Sequence, residues 1–145
     1  MIDTGALTDG VLQTLAEASG QLLGDGYKPE KAGWLDGQPN VGVFAPYGVL
    51  FFQGGAPRDA TLRFEELVRG WSVNFDLSYF GGSRKQCDWV ATQFRDKYGV
   101  LMRKKFGDYT VMGASLRTIG VMERRDDIDP PLWYVTDRIV LYCDA

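Results

Sequence analysis

The 145-residue chain contains no histidine. That removes the commonest general base and the commonest metal ligand, together with every Ser-His and Cys-His nucleophile pair. Any chemistry would have to rest on carboxylates and lysines. Cysteine is nearly as scarce: Cys87 and Cys143 are the only two, too few for zinc-type pairing. They fall in a predicted helix and a predicted strand, where a small buried apolar residue is the usual role, with a disulfide as the other reading. No apolar run approaches the ~20 residues that cross a bilayer. The opening Met1-Ile2-Asp3-Thr4-Gly5 lacks the basic and apolar regions of a secretion signal, so the expectation is a protein made and used without export or a membrane. There is no Walker loop and no dinucleotide fingerprint, and the pairs Gly54-Gly55 and Gly81-Gly82 are too short to cradle phosphate. Positive charge is not in excess either. The 16 Lys and Arg are scattered and outnumbered by 19 Asp and Glu, which argues against a broad nucleic-acid or anionic-membrane surface.

What is present is the composition of one folded domain over residues 1–145. An apolar fraction of 45% and a charged fraction of 24% are enough to build a core and too balanced for a disordered chain. Thr8 and Asp9 can cap a first helix with Val11, Leu15, Ala18 and Leu22 on one side and Gly24 just past its end. Residues 25–40 read as a long irregular connection anchored by Trp34-Leu35. Val41 to Ala45 and Val49 to Phe52 read as short strands split by Pro46-Tyr47-Gly48. The Gly- and Pro-rich Gln53 to Asp59 reads as a turn, with Leu62, Phe64 and Val68 on the returning arm of a hairpin that projects from the sheet.

From Trp71 to Tyr79 every odd position is apolar and every even one is small and polar, the pattern of a strand with one buried face. Ser83 and Gln86 form a capping box. The helix it opens has a stripe of Cys87, Val90, Ala91, Phe94, Tyr98 and Leu101. Arg103-Lys104-Lys105 follows, either as a cationic bias at the helix end or as a phosphate site. Residues 106–113 read as a loop, Ser115 to Met122 as a strand and Trp133 to Cys143 as the last strand, apolar on both faces and so placed inside the sheet or under a partner. The expected fold class is α+β: a mostly antiparallel sheet of four to five strands packed with two helices, with the early hairpin projecting. One sheet face then lacks a helix cover, and Trp71, Phe80, Trp133 and Tyr142 supply aromatic surface for an interface.

The densest local signal is Glu123-Arg124-Arg125-Asp126-Asp127-Ile128-Asp129-Pro130-Pro131-Leu132-Trp133-Tyr134. Its charges sit between two apolar strands, so it reads as a loop held at both ends. Glu123, Asp126, Asp127 and Asp129 would suffice for oxygen ligation of a divalent ion, the seed of a metal-dependent hydrolase reading. Arg124-Arg125-Asp126-Asp127 reads alternatively as an ion-pair network between subunits, with arginine giving bidentate pairs to a neighbour's carboxylates, or as a solvated turn whose aspartates cap local backbone amides. Pro130-Pro131 reads as fixing the start of the last strand.

That segment, continued through Val135-Thr136-Asp137-Arg138, resembles the C-terminal arginine-aspartate, proline-proline, aromatic-aromatic stretch of tail-terminator proteins of long-tailed, siphovirus-type phages, particularly of actinobacterial hosts. Gly81-Gly82-Ser83-Arg84-Lys85-Gln86-Cys87-Asp88-Trp89-Val90-Ala91 is similar to that family's turn and second helix, and Pro46-Tyr47-Gly48-Val49-Leu50-Phe51 to its early strand. The resemblance covers about residues 41–143; residues 25–40 and 53–70 depart from it. It implies a virion structural protein without chemistry, cofactor or metal. Such a protein forms a homo-hexameric ring in the neck region, assembled in the host cytoplasm. The ring caps the head-proximal end of the tail tube, ends polymerisation of the tail-tube protein and joins the head-completion or connector protein, and genomic DNA crosses its lumen without specific binding. A neutral or acidic lumen suits a duplex that carries one negative charge per ~1.7 Å. With the family in view, Arg124, Arg125, Asp126, Asp127, Trp133 and Tyr134 read as subunit contacts, and Gln53, Gly54, Gly55, Arg58 and Asp59, in a Gly- and Pro-rich loop able to reshape on docking, read as the contact with the tube or a neighbour. Another neck component, a monomeric ligand-binding α+β domain and the metal-dependent hydrolase are the alternatives. Under the terminator reading, alanine at Arg58 and Asp59 leaves thermal unfolding unchanged and reduces capping of tail tubes, which electron microscopy of tube lengths measures.

Overall fold

Alternation of buried and half-exposed residues sets the architecture. The computed structural model describes residues 4–34, 43–57, 70–127 and 131–144. In chain order it runs through α1 (Thr4–Ser19), β1 (Leu22–Asp25), β2 (Gly33–Trp34), β3 (Phe44–Ala45), β4 (Tyr47–Pro57), β5 (Gly70–Gly81) and α2 (Arg84–Arg95). A 3-10 turn at Tyr98–Leu101 then leads to β6 (Lys105–Phe106), β7 (Tyr109–Arg125) and β8 (Leu132–Asp144). The fold is α+β, as expected, but the main sheet has six strands in the order β1-β4-β5-β8-β7-β6, rather than four to five, beside a two-stranded β2-β3 ribbon. Among the described residues only the β1-β4 pair is parallel. No helix among the described residues is long and apolar enough to cross a membrane.

The core lies between the two helices and one face of the sheet. Leu7, Val11 and Leu15 of α1 and Cys87, Val90, Ala91 and Phe94 of α2 are buried against Val73, Phe75, Leu77 and Tyr79 of β5 and Val135, Ile139, Leu141 and Cys143 of β8. The alternation read in Trp71 to Tyr79 is therefore real, and β8 lies inside the sheet, paired on both sides. Cys87 and Cys143 are both buried, and burial first, then the nearby Asp88 charge, pushes the Cys87 thiol up to about 12. The Ser83–Gln86 cap forms with a variation. Ser83 Oγ accepts from the Gln86 N–H at 3.2 Å, while Gln86 Oε1 accepts from Gly82 N–H at 2.8 Å, one residue before the cap. Gln86 Nε2 then donates to the Phe44 carbonyl at 2.9 Å, tying the start of α2 to β3. Glycine is required at 81, since a Cβ there would sit 2.7 Å from Cys87 Cα.

Several expected boundaries move. α1 starts at Thr4 and ends at Ser19, so Thr8 and Asp9 lie within it, while Leu22 and Gly24 belong to β1. Residues 25–34 are not all irregular, because β2 carries the Trp34 anchor; Leu35 lies outside the described residues. Tyr47 and Gly48 are strand residues rather than a break. Gln53 to Pro57 continues β4 to a partner at Trp71, with a bulge between Phe52 and Gly54 where Gly54 takes φ +111°. Glycine here marks a bulge, not a turn. The expected returning arm at Leu62, Phe64 and Val68 lies outside the described residues; the antiparallel partner of β4 is β5. Residues 106–113 are not a loop either. Phe106 pairs with Tyr109 across a Gly107-Asp108 turn, a two-residue hairpin. α2 ends at Arg95, so Arg103-Lys104-Lys105 follows the 3-10 turn instead of closing the helix.

One buried charge locks the layers together. Asp137 on β8 is fully buried. It accepts from the Tyr79 hydroxyl (2.6 Å), from Arg95 Nε (2.7 Å) and Nη2 (2.9 Å), and from Thr118 Oγ1 (2.8 Å). These donors come from β5, α2 and β7. Arg95 also lies 5.5 Å from the Tyr79 ring centroid. Burial alone would raise the Asp137 carboxyl, but the hydrogen bonds from Arg95, Tyr79 and Thr118 outweigh it and hold the group below the usual carboxylate range. The Tyr79 phenol, buried beside that carboxylate, is driven far above its ordinary value.

Removing one partner of a buried charged pair strands the other. Asp137→Ala is expected to cost about 3–5 kcal/mol of stability, read from urea unfolding. The sign with pH follows from the depressed folded-state value: the Asp137 contribution is fully present above the unfolded aspartate value of about 3.9 and is lost as pH falls through the lower folded value. The stability gap between wild type and Asp137→Asn therefore narrows on acidification below about pH 4.

Candidate functional site

The charged stretch begins in the last turn-ward residues of β7 and ends at β8. Glu123, Arg124 and Arg125 pair with Tyr134, Trp133 and Leu132 of β8, so successive residues point to opposite faces of the sheet. Arg124 bonds Asp126 at 2.9 Å, and Arg125 makes a forked contact with Asp127 at 2.7 and 3.2 Å. The arginine-aspartate pairs thus form within the chain. The Arg125 fork draws the Asp127 carboxyl down, and the Arg125 guanidinium is correspondingly held charged. Glu123 accepts from the Tyr134 hydroxyl at 3.1 Å, which raises the Tyr134 phenol.

The residues expected at a subunit contact divide between two faces. Trp133 lies on the helix side and is packed against the main core, whereas Tyr134 and Arg125 lie on the open side, with Arg125 5.9 Å from the Tyr134 ring centroid. Arg124, Arg125, Asp126 and Asp127 are all exposed. The carboxylates do not gather: among the described residues no group of three His, Cys, Asp or Glu side chains is placed to hold a metal ion. Asp129 and Pro130 lie outside the described residues.

Tyr134 is one end of a row of rings that runs across the open face. It stacks on Phe80 (centroids 6.2 Å), Phe80 on Tyr47 (4.9 Å) and Tyr47 on Phe44 (6.1 Å), and Trp34 meets Phe44 edge-on (5.1 Å). Strand pairing makes the row, since Tyr47, Phe80 and Tyr134 are direct cross-strand neighbours on β4, β5 and β8. The β2-β3 ribbon lies over Tyr47 and Val49, forming a second small core with Ala32 and Phe44. Burial lifts the Tyr47 phenol to about 12 against the opposing pull of Arg125. The Trp34 indole Nε1 is buried without a hydrogen-bond partner. No single residue in the sequence announces this row; it depends on registers between strands far apart in the chain, and the surplus aromatic surface was its only trace.

Further along the open face Arg138 forks onto Asp76 at 2.9 and 3.3 Å, and the Ser78 and Thr136 hydroxyls are 2.8 Å apart. The other expected contact segment falls differently. Gln53 is the extra residue of the β4 bulge, Gly54 and Gly55 pair with Asn74 and Val73 of β5, and Arg58 and Asp59 lie outside the described residues. Compared with known proteins, the chain matches no family model and no curated protein.

Exposed ion pairs contribute little to stability and buried rings contribute much. Arg124→Ala and Arg125→Ala are expected to unfold at the same urea concentration as wild type, while Phe44→Ala loses about 3–5 kcal/mol and makes Trp34 more accessible to acrylamide quenching.

Proposed function

We propose that this chain is a ring-forming virion protein of the phage neck, a tail terminator that caps the head-proximal end of the tail tube and presents a joining surface to a head-completion or connector protein. One observation carries the reading beyond the resemblance itself. The three stretches that resemble the tail-terminator family are far apart in the chain yet meet at one end of the sheet. Tyr47 pairs with Phe80, Phe80 with Tyr134 and Gly81 with Trp133, and Gln86 reaches the Phe44 carbonyl beside Pro46. The three stretches thus lie side by side at one end of the sheet, bordered by the exposed Arg124, Arg125, Asp126 and Asp127.

The arrangement favours binding over catalysis. The one buried ionisable cluster among the described residues, Asp137 with Arg95 and Tyr79, has its polar groups spent on one another. The Arg-Asp pairs are pre-formed within the chain and exposed, so a neighbouring subunit meets an ordered, roughly neutral rim rather than free charges. In the proposed ring Arg124, Arg125, Asp126, Asp127 and Tyr134 form the contact, no metal or cofactor takes part, and DNA passes through a neutral or acidic lumen. The protein acts in the virion neck after assembly in the host cytoplasm.

Electron microscopy of tail tubes assembled with and without the protein tests this. Overlong tubes in its absence are expected, and tubes of equal length in both cases overturn the reading. The Arg124→Ala/Arg125→Ala double variant is expected to fold as wild type and to leave a larger share of tubes uncapped.

A further inference from the structure

The six-stranded sheet ends in two edges of unequal length. β1 presents only Leu22–Asp25. β7 runs from Tyr109 to Arg125, and its outer side is covered only at its start. β6 pairs with Tyr109 and Thr110, and Arg103 and Lys104 exchange backbone hydrogen bonds with Val111. Beyond that point no strand among the described residues covers it. Two irregularities divide this free edge, one at Met112 and one across Gly120–Met122. Between them Gly113–Ile119 holds an unbroken register against Tyr142 to Thr136 of β8. Edge strands are ordinarily blunted by proline, by several charges or by a covering element, because an exposed row of N–H and C=O groups templates another strand. Gly113-Ala114-Ser115-Leu116-Arg117-Thr118-Ile119 contains no proline and a single charge.

We infer that this edge pairs with the same edge of a second copy, antiparallel about a two-fold axis at Leu116, so that two six-stranded sheets become one. Length selects the occupant: the four residues of β1 cannot cover the stretch, and another β7 can. Charge and register select the pairing. Centred on Leu116, Gly113 meets Ile119, Ala114 meets Thr118 and Ser115 meets Arg117, so every residue of the stretch is paired and no like charges face. Centred on Arg117 the two guanidinium groups would oppose each other, a destabilising arrangement, and centred on Ser115 the outer residues of the stretch would be left unpaired. The irregularity at Gly120–Met122, where Gly120 takes φ +89°, ends the partner's ladder where β6 begins. α2 packs chiefly over β5 and β8, and α1 over β1, β6 and the 3-10 turn, so neither helix lies mainly against Gly113–Ile119. A two-fold contact does not close a six-fold ring. The pairing is therefore a state of the free chain, independent of the ring.

Sedimentation of the full chain over a range of concentrations is expected to give a dimer. Ser115→Glu places a carboxylate opposite the partner's Arg117 at two symmetric positions and is expected to tighten the dimer roughly 2- to 30-fold, and Ser115→Lys to weaken it by a similar factor. Under mild oxidation Leu116→Cys, at the axis, is expected to cross-link between copies, whereas Ile119→Cys and the wild type, with its buried cysteines, are not. A monomer at every concentration overturns the inference, as does a dimer or ring indifferent to the charge at 115. The exposed Ser115 variants keep the test decisive if Leu116→Cys folds poorly. A Ser115-sensitive dimer that leaves tube length unchanged would remove the ring reading and leave this one standing, and a ring indifferent to Ser115 would do the reverse.

Discussion

A single buried carboxylate constrains the rest of the molecule. Asp137 sits on the helix-facing side of β8, at a position where every second neighbour is apolar and buried. An ionised group there is tolerable only if donors replace the water it has lost. Those donors are Tyr79, Thr118 and Arg95, and they can reach it only if β5, β7 and β8 hold their present registers and α2 crosses above them. A slip of one residue in either pairing would turn Asp137 or one of its partners to the other face. The network therefore contributes specificity as well as stability, because alternative registers that would bury comparable apolar area would leave this charge unpaired.

Fixing α2 over β5 and β8 also determines which face of the sheet stays open. Both helices cover the side of Val73, Phe75, Ile139 and Leu141, so Asp76, Ser78, Thr136 and Arg138 are left on the other. That second face organises itself in cross-strand rows. One is aromatic, running from Tyr134 through Phe80 and Tyr47 to Phe44, and another is polar, through Ser78 and Thr136 and then Asp76 and Arg138. The β2-β3 ribbon shields the aromatic row at one end, and the exposed arginine-aspartate pairs border it at the other. The face is patterned and only partly covered, with Phe51 and Tyr142 each more than a third exposed.

Sequence patterning reached those parts of the fold that depend on local periodicity. Alternation located β5, the apolar stripe and the Ser83–Gln86 cap located α2, and two-sided apolarity placed β8 within the sheet. It misjudged glycine. Gly54 marks a bulge inside a long strand and Gly107 a tight hairpin, yet in a linear sequence both resemble loop punctuation. The Asp137 network was not visible for a related reason. Its members are separated by up to 58 residues, and a lone aspartate in an apolar strand carries no mark of the arginine that neutralises it. At the candidate site the sequence showed arginines and aspartates side by side but not that each pairs two residues along its own chain, and the aromatic row was not visible either, since it exists only through register.

The separation between what holds the fold and what faces outward bears on assembly. The core, the buried network and the cap of α2 lie on one side of the sheet or within it; they draw on β7 through the side chains of Ala114, Leu116 and Thr118, but not on its outer backbone edge or on the arginine-aspartate pairs. Among the described residues the core is thus completed by this chain's own side chains. The cost is an edge of β7 that no strand among the described residues covers beyond Val111. Water can satisfy such groups in an isolated chain, but a matching strand competes with water for them. The irregularities at Met112 and Gly120–Met122 limit that competition to Gly113–Ile119, which restricts pairing to partners of matching length and register. The same devices that protect an edge strand from indiscriminate pairing thereby make the remaining segment selective.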